Sequence, residues 1–256
     1  MVVPDHVRVA ANEGDIAVVK AWIHEVGPGA VNDVCPYGYT YLQRSMSMYG
    51  DITREHVEFA RWLIASSGDV NSCGLSSGPS VHWAPLHYAC CYPLGSESIT
   101  MIALLLQAGA GVSTRTYSYD HSSCPDATPL GIVLHHLNMD GSSFGLKAMV
   151  PLLRAGASLD RCMKDKSAEE IMRGHLMNEE VDADDEDFTR CQGLVAGVRE
   201  HGSYKRYLRA PHRHFLRLRS LLVRGRAETA DRRLERIARL PNGAVWNVLS
   251  YWREAE

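Results

Sequence analysis

Apolar residues in the N-terminal three quarters of the chain fall into short bursts at helical spacing, divided by polar stretches rich in Gly and Ser. Three of these bursts are long enough to be amphipathic helices: Val57 to Ile64, Ile99 to Leu106 and Met149 to Leu153. Each ends shortly before a glycine, Gly68, Gly109 or Gly156, and glycine closes a helix because it adopts the left-handed conformation without a Cβ clash. A shorter apolar segment precedes each run. In two cases it opens with proline after a small or capping residue, Ala84-Pro85 and Thr128-Pro129. Proline fits the first turn of a helix because its missing N–H has no partner to lose there, and Thr128 adds a capping oxygen.

The pattern repeats. Thr40-Tyr41-Leu42-Gln43, Ala84-Pro85-Leu86-His87-Tyr88-Ala89 and Thr128-Pro129-Leu130-Gly131 align, with their leucines 44 residues apart both times. The unit reads as short helix, loop, longer helix, glycine stop. Ala84-Pro85-Leu86-His87-x-Ala89 and Gly68-Asp69-Val70-Asn71, with Gly109-Ala110 and Gly156-Ala157, resemble the two landmarks of the ankyrin repeat family. Ala10 to Lys20 is similar to that family's inter-helix turn, and Asp165 to Ile171 to the opening of a capping unit.

The resemblance implies an all-α ankyrin-repeat solenoid of helix-turn-helix units with long finger loops, about five units over residues 5–178, the first and last atypical. An acidic linker (179–187) and a basic helical C-terminal tail (188–256) come after it. The 44-residue spacing exceeds the usual 33 of such repeats, so the surplus belongs in loops: Cys73 to Trp83 and Arg115 to Ala127 in the fingers, and 92–97 and 138–145 between helices. Gln43 and Gly131 stand where the family has the histidine seen at His87, so its hydrogen bonding between repeats is expected to be incomplete.

Fingers and first helices line the concave surface with which such repeats bind partners. Tyr37, Tyr39, Trp83, Tyr117, Tyr119 and His121 are therefore the candidate partner-binding residues, aromatic side chains being enriched at interface hot spots. Each aromatic ring could equally cover its own loop.

Charge divides the chain. Net charge is −3, yet residues 199–239 hold thirteen Lys and Arg against four Asp and Glu, leaving about −12 elsewhere, with seven acids in the nine residues from Glu179 to Asp187. Within the basic tail Phe215, Leu218 and Leu222 share one helical face, and Val245, Val248, Leu249 and Trp252 form a second stripe after Leu240-Pro241. Docking against the last repeat as a cap is one reading.

Leu240-Pro241-x-x-x-Val245 is also similar to the first helix of an F-box. Leu218-x-x-x-Leu222 followed by Leu240-Pro241 resembles a suppressor-of-cytokine-signalling box, although Leu222 stands where cysteine is usual. That reading implies an alternative function as substrate receptor of a cullin-type ubiquitin ligase. Leu218, Leu222, Leu240, Pro241, Val245, Leu249 and Trp252 would meet an elongin or Skp-type adaptor. The tail is similar as well to C-terminal segments of algal ankyrin proteins. Nucleic acid is not an expected partner, because the acidic run offers an internal counter-charge.

Catalytic signatures do not emerge. Seven cysteines form no CxxC pair, His82, His87, Cys90 and Cys91 lack the spacing of a zinc module, and His135-His136 reads as the exposed end of a first helix. No nucleophile elbow, phosphate loop or dinucleotide fingerprint occurs. The expectation is a non-enzymatic, cofactor-free monomer in the cytoplasm or nucleus, without metal, signal peptide or membrane span.

Overall fold

A short helix led by an aspartate and stopped by a glycine begins the first unit. In the computed structural model, which describes residues 3–35, 38–46, 51–73, 83–91, 96–116, 124–137, 142–182, 184–245 and 247, α1 (Asp5–Glu13) ends at Gly14 in the left-handed region (φ 73°). Asp15 then caps α2 (Ile16–Val26), accepting from the backbone N–H groups of Ala17 and Val18.

Four further pairs succeed it: α3 (Tyr41–Arg44) with α4 (Arg54–Ala65), α5 (Pro85–Cys91) with α6 (Ser96–Gln107), α7 (Pro129–His135) with α8 (Ser142–Arg154), and α9 (Ala168–Met177) before α10 (Glu186–His201). The described residues are helical, with no strand and only isolated bridges such as Val34 to Thr40 and Ala127 to Met163.

Packing runs in a row. α1 meets α3, α3 meets α5, α5 meets α7 and α7 meets α9, while α4 lies on α6 and α6 on α8. Leu42, Leu86 and Leu130, the repeated leucines of the first helices, are all at most 2% exposed. α3 and α5 are buried along their whole length and α7 as far as Leu134. The second helices bury one stripe each: Val57, Phe59, Ala60 and Leu63; Met101, Ile102 and Leu105; Ala148, Met149, Leu152 and Leu153. The first helices lie inside, α3 with its polar Gln43 and Arg44 buried as well, and the one-sided second helices pack on them. The expectation that the first helices line an open concave surface is thereby corrected.

The helix stops recur to the hydrogen bond. Gly68 N–H donates to Leu63 O (2.8 Å), Ala110 to Leu105 O (2.9 Å), Ala157 to Leu152 O (3.0 Å) and Glu180 to His175 O (2.9 Å). The left-handed residue just before each donor is Ser67, Gly109, Gly156 and Glu179. At the first stop Ser67, not Gly68, turns the chain. Gly68 is required for a different reason, since a Cβ there would sit 2.8 Å from the Leu63 carbonyl oxygen.

Two compact units emerge, residues 1–195 and 196–256. The first passes beyond the expected linker, because Phe188, Cys191, Leu194 and Val195 of α10 are buried. The acidic run is engaged locally rather than merely solvated. Glu180 bonds His175 (2.6 Å), Asp185 accepts from Phe188 N–H (2.7 Å), and Glu186 and Asp187 both pair with Arg190. The second unit holds α11 (Tyr204–Val223), capped by Ser203, and α12 (Arg232–Ala238), capped by Asp231. No helix among the described residues is long and apolar enough to cross a membrane.

Candidate functional site

In α3 and α5 the side chain three positions after the residue preceding the helix turns back to that residue's N–H and also reaches into the next finger. In α3, Gln43 Oε1 accepts from Thr40 N–H (2.7 Å) while its Nε2 donates to Trp83 O (2.6 Å). In α5, His87 Nδ1 accepts from Ala84 N–H (3.0 Å) and Nε2 meets Thr114 O (2.9 Å), which fixes the neutral tautomer carrying its proton on Nε2. His87 is fully buried, and that burial pushes its pKa down to about 4.

α7 solves the same problem without a side chain at the third position. Thr128 donates both N–H (2.8 Å) and hydroxyl (3.2 Å) to Cys162 O. A Cβ on Gly131 would overlap the Cys162 carbonyl. The expected gap in bonding at Gln43 and Gly131 is therefore absent: an amide replaces the imidazole in one unit, and close backbone approach replaces it in the other.

A second ladder runs along the fingers. Asn32 Nδ2 donates to Ser67 O (3.1 Å) and its Oδ1 accepts from Asp69 N–H (2.8 Å). Asn71 does the same one unit later, to Gly109 O (3.3 Å) and from Gly111 N–H (2.8 Å). Further on, Arg115 takes over, bonding Asp126 O (2.7 Å) and its carboxylate (2.8 Å) and reaching Arg161 O.

Between the first and second of these fingers lies an aromatic cluster. Trp83 packs against Tyr88 (ring centres 5.2 Å apart) and His87 (6.3 Å), and Tyr39 meets Tyr88 edge-on (6.3 Å). The Arg44 guanidinium lies 4.5 Å over the Tyr39 ring and contacts Asn12 Oδ1 and Cys35 Sγ, with no carboxylate at hand among the described residues. Trp83 is 5% exposed, which corrects its expected place on a gripping surface: it is core. Tyr39 is half-buried and remains at the edge. Tyr37, Tyr117, Tyr119 and His121 fall outside the described residues. Arg44 and Tyr88 escaped sequence reading because a cation inside a four-residue helix, and a Tyr in a run of apolar neighbours, carry no spacing signal.

His136 is not an exposed helix end. Its Nε2 stands 3.5 Å from Cys91 Sγ and 3.8 Å from Cys124 Sγ. Burial raises the Cys91 thiol to about 12, which leaves it protonated and weakly nucleophilic. Neighbouring His135 is half-buried, and that burial lowers its pKa. Among the described residues no group of three or more His, Cys, Asp and Glu side chains has an arrangement that could hold a metal ion.

In the second unit, Arg219 bridges the helices. Its guanidinium donates to Ala238 O (3.0 Å), Leu240 O (2.5 Å) and Asn242 Oδ1 (2.9 Å), closing the end of α12 against α11. A cleft of about 770 Å³ beside it is lined by Leu222, Val223, Ala227, Glu228 and Glu235 among others. Leu218, Leu222 and Leu240 are half-buried and Pro241 is exposed. Val245 is 1% exposed, so it offers an adaptor no surface as it stands. Leu249 and Trp252 lie outside the described residues. No family model matches the chain, and no curated protein matches it either.

Proposed function

We propose that residues 1–195 form an ankyrin-type repeat stack without catalytic activity, which binds a protein partner through its fingers. The observation that supports this best is the recurrence of one linkage, in which the starts of α3, α5 and α7 bond a main-chain carbonyl of the following finger through Gln43, His87 and Thr128. A unit tied this way depends on its neighbour for both hydrogen bonding and burial, which is the economy of a linear array. It also frees loop surface for recognition.

The test is affinity purification with the full chain and with a variant carrying Tyr37, Tyr117, Tyr119 and His121 all replaced by Ala. Loss of one reproducible partner at unchanged thermal stability agrees with the reading. Undiminished capture removes these residues from the interface, and a hydrolase or transferase activity in the purified chain would overturn the non-enzymatic assignment.

A second reading draws on the tail. Arg219 fixes the Leu240–Asn242 turn beside the α11 helix that carries Leu218 and Leu222, so the two halves of a box-like adaptor segment share one small unit. If that unit recruits a cullin ligase, an elongin or Skp-type adaptor co-purifies with the full chain and is lost from a Leu218→Asp, Leu222→Asp variant. Absence of any such adaptor rejects it.

A further inference from the structure

α11 is a 20-residue helix with no acidic side chain. At 3.6 residues per turn, Arg213 and Arg217, continued by Arg224 at the C-cap, fall within an arc of about 40°, and Arg206 and Arg209, on the other side of Pro211, widen it on an ideal helix to about 80° over about 27 Å. All five are exposed, and none has a hydrogen-bonded or ionic side-chain partner among the described residues. Like charges three and four residues apart on a helix repel, so this alignment costs stability in the free protein. The one arginine of α11 that ties structure together, Arg219, lies off the row and is fully engaged.

Two observations narrow the partner. No acidic side chain among the described residues bonds the row, and within the acidic run Glu180, Glu186 and Asp187 pair with His175 and Arg190 while Asp185 caps α10. On the opposite side of α11, Leu208, Phe215, Leu218 and Leu222 are partly covered, and only Val223 is a strongly exposed large apolar residue of this helix. An in-plane membrane helix must offer an open apolar stripe to the acyl boundary, and this one does not.

We propose that the arginine face of α11 binds duplex DNA through its phosphates, independently of the repeat reading above. An exposed helix about 10–12 Å across matches the roughly 12 Å major groove of B-DNA, whereas the major groove of A-form RNA is too deep and narrow to admit it. Guanidinium groups suit phosphate because their paired N–H donors match two of its oxygens. Phosphate contacts carry no sequence information, so binding through them is largely indifferent to sequence, with guanine the one base that an arginine reaching the groove floor would favour. The net −3 of the chain is no obstacle at physiological salt, where charges beyond about 8 Å are screened.

Fluorescence anisotropy of the full chain with a labelled random-sequence duplex, titrated with salt, tests this. Five phosphate contacts predict a slope of log K against log salt near −4.5. Replacing Arg206, Arg209, Arg213, Arg217 and Arg224 by Gln should reduce affinity at low salt by on the order of 100-fold or more and flatten the slope, because each lost contact removes about 0.9 from it. A charge-matched control, with Arg54, Arg61, Arg154, Lys164 and Arg173 of the first unit replaced by Gln, should bind like the wild type. Thermal unfolding should show both variants folded, the ridge variant at or above the wild-type midpoint because its like-charge repulsion is relieved. The proposal is overturned if the wild type does not bind duplex, if both variants lose affinity equally, or if the ridge variant binds as well as the wild type. It is overturned as well by tighter binding to single-stranded RNA or to phosphatidylserine vesicles than to the duplex.

Discussion

Gln43 and His87, 44 positions apart and chemically unlike, make the same two hydrogen bonds: each accepts from the backbone N–H three residues earlier and donates to a carbonyl of the next finger. Gln43 thus indicates what His87 can be replaced by. In the folded chain His87 titrates at about 4 against 6.5 when unfolded. Above pH 6.5 it is neutral in both states and its full contribution is present. As pH falls from 6.5 toward 4 the unfolded chain takes up a proton that the folded chain refuses, and stability drops by about 1.4 kcal/mol per unit, about 3 kcal/mol in all. His87→Gln should keep the neutral-pH stability to within about 1 kcal/mol and flatten this acid limb, read by urea unfolding at pH 7, 6 and 5. His87→Ala should lose about 2–3 kcal/mol at pH 7, because Ala84 N–H and Thr114 O would both be left unpaired.

Asn32 and Asn71 are expected to be energetic twins. Each bonds one carbonyl and one N–H across a unit boundary, in partly exposed surroundings, so Asn32→Ala and Asn71→Ala should each cost about 1–2 kcal/mol in chemical denaturation. Asp69 bonds both, its N–H to Asn32 Oδ1 and its carboxylate to Asn71 N–H (2.9 Å), so the double variant should depart from the sum by about 0.5 kcal/mol or more. A loss below about 0.3 kcal/mol at either site would show that water replaces the asparagine there.

Two glycines should respond in opposite directions to alanine. Gly131→Ala forces a methyl group into the Cys162 carbonyl, where main chain cannot step aside without breaking the Thr128 bonds, so a loss of at least about 3 kcal/mol is expected. Gly193, inside α10 with nothing within 4 Å of an added Cβ, should gain about 0.5–1 kcal/mol on the same change. Differential scanning calorimetry of both variants checks the pair. Equal shifts would contradict it.

Arg219→Lys is not a conservative change. A single ammonium cannot reach Ala238 O, Leu240 O and Asn242 Oδ1 together, so the end of α12 should fray. Hydrogen exchange should accelerate in 232–245 while the amides of α5 and α7 keep their protection. Acceleration across the whole chain would assign Arg219 a wider role.

The helical units were readable because burial imposes a period. Leu42, Leu86 and Leu130 recur where the three first helices meet the core, and Gly109 and Gly156 mark stops that need a left-handed residue. What sequence concealed was substitution of one means by another. A missing histidine at position 131 looks like a missing bond, yet the absence of any side chain there is what lets two backbones touch. Trp83 looked like a surface anchor because it closes a Gly- and Ser-rich loop, and composition cannot tell a ring that projects from one that folds inward. The acidic stretch read as linker since its net charge is evident, whereas its individual partners, His175 and Arg190, come together only in three dimensions.

Each boundary linkage includes at least one bond that ends on a peptide oxygen: Trp83 O, Thr114 O and Cys162 O along the helices, Ser67 O and Gly109 O along the fingers. Peptide oxygen is present whatever amino acid the codon specifies. The bond itself makes no use of the receiving side chain, so what constrains Trp83 and Gly109 is the core and the left-handed turn rather than the joint. Such a chain can diverge far from its ancestors in letters while its joints persist.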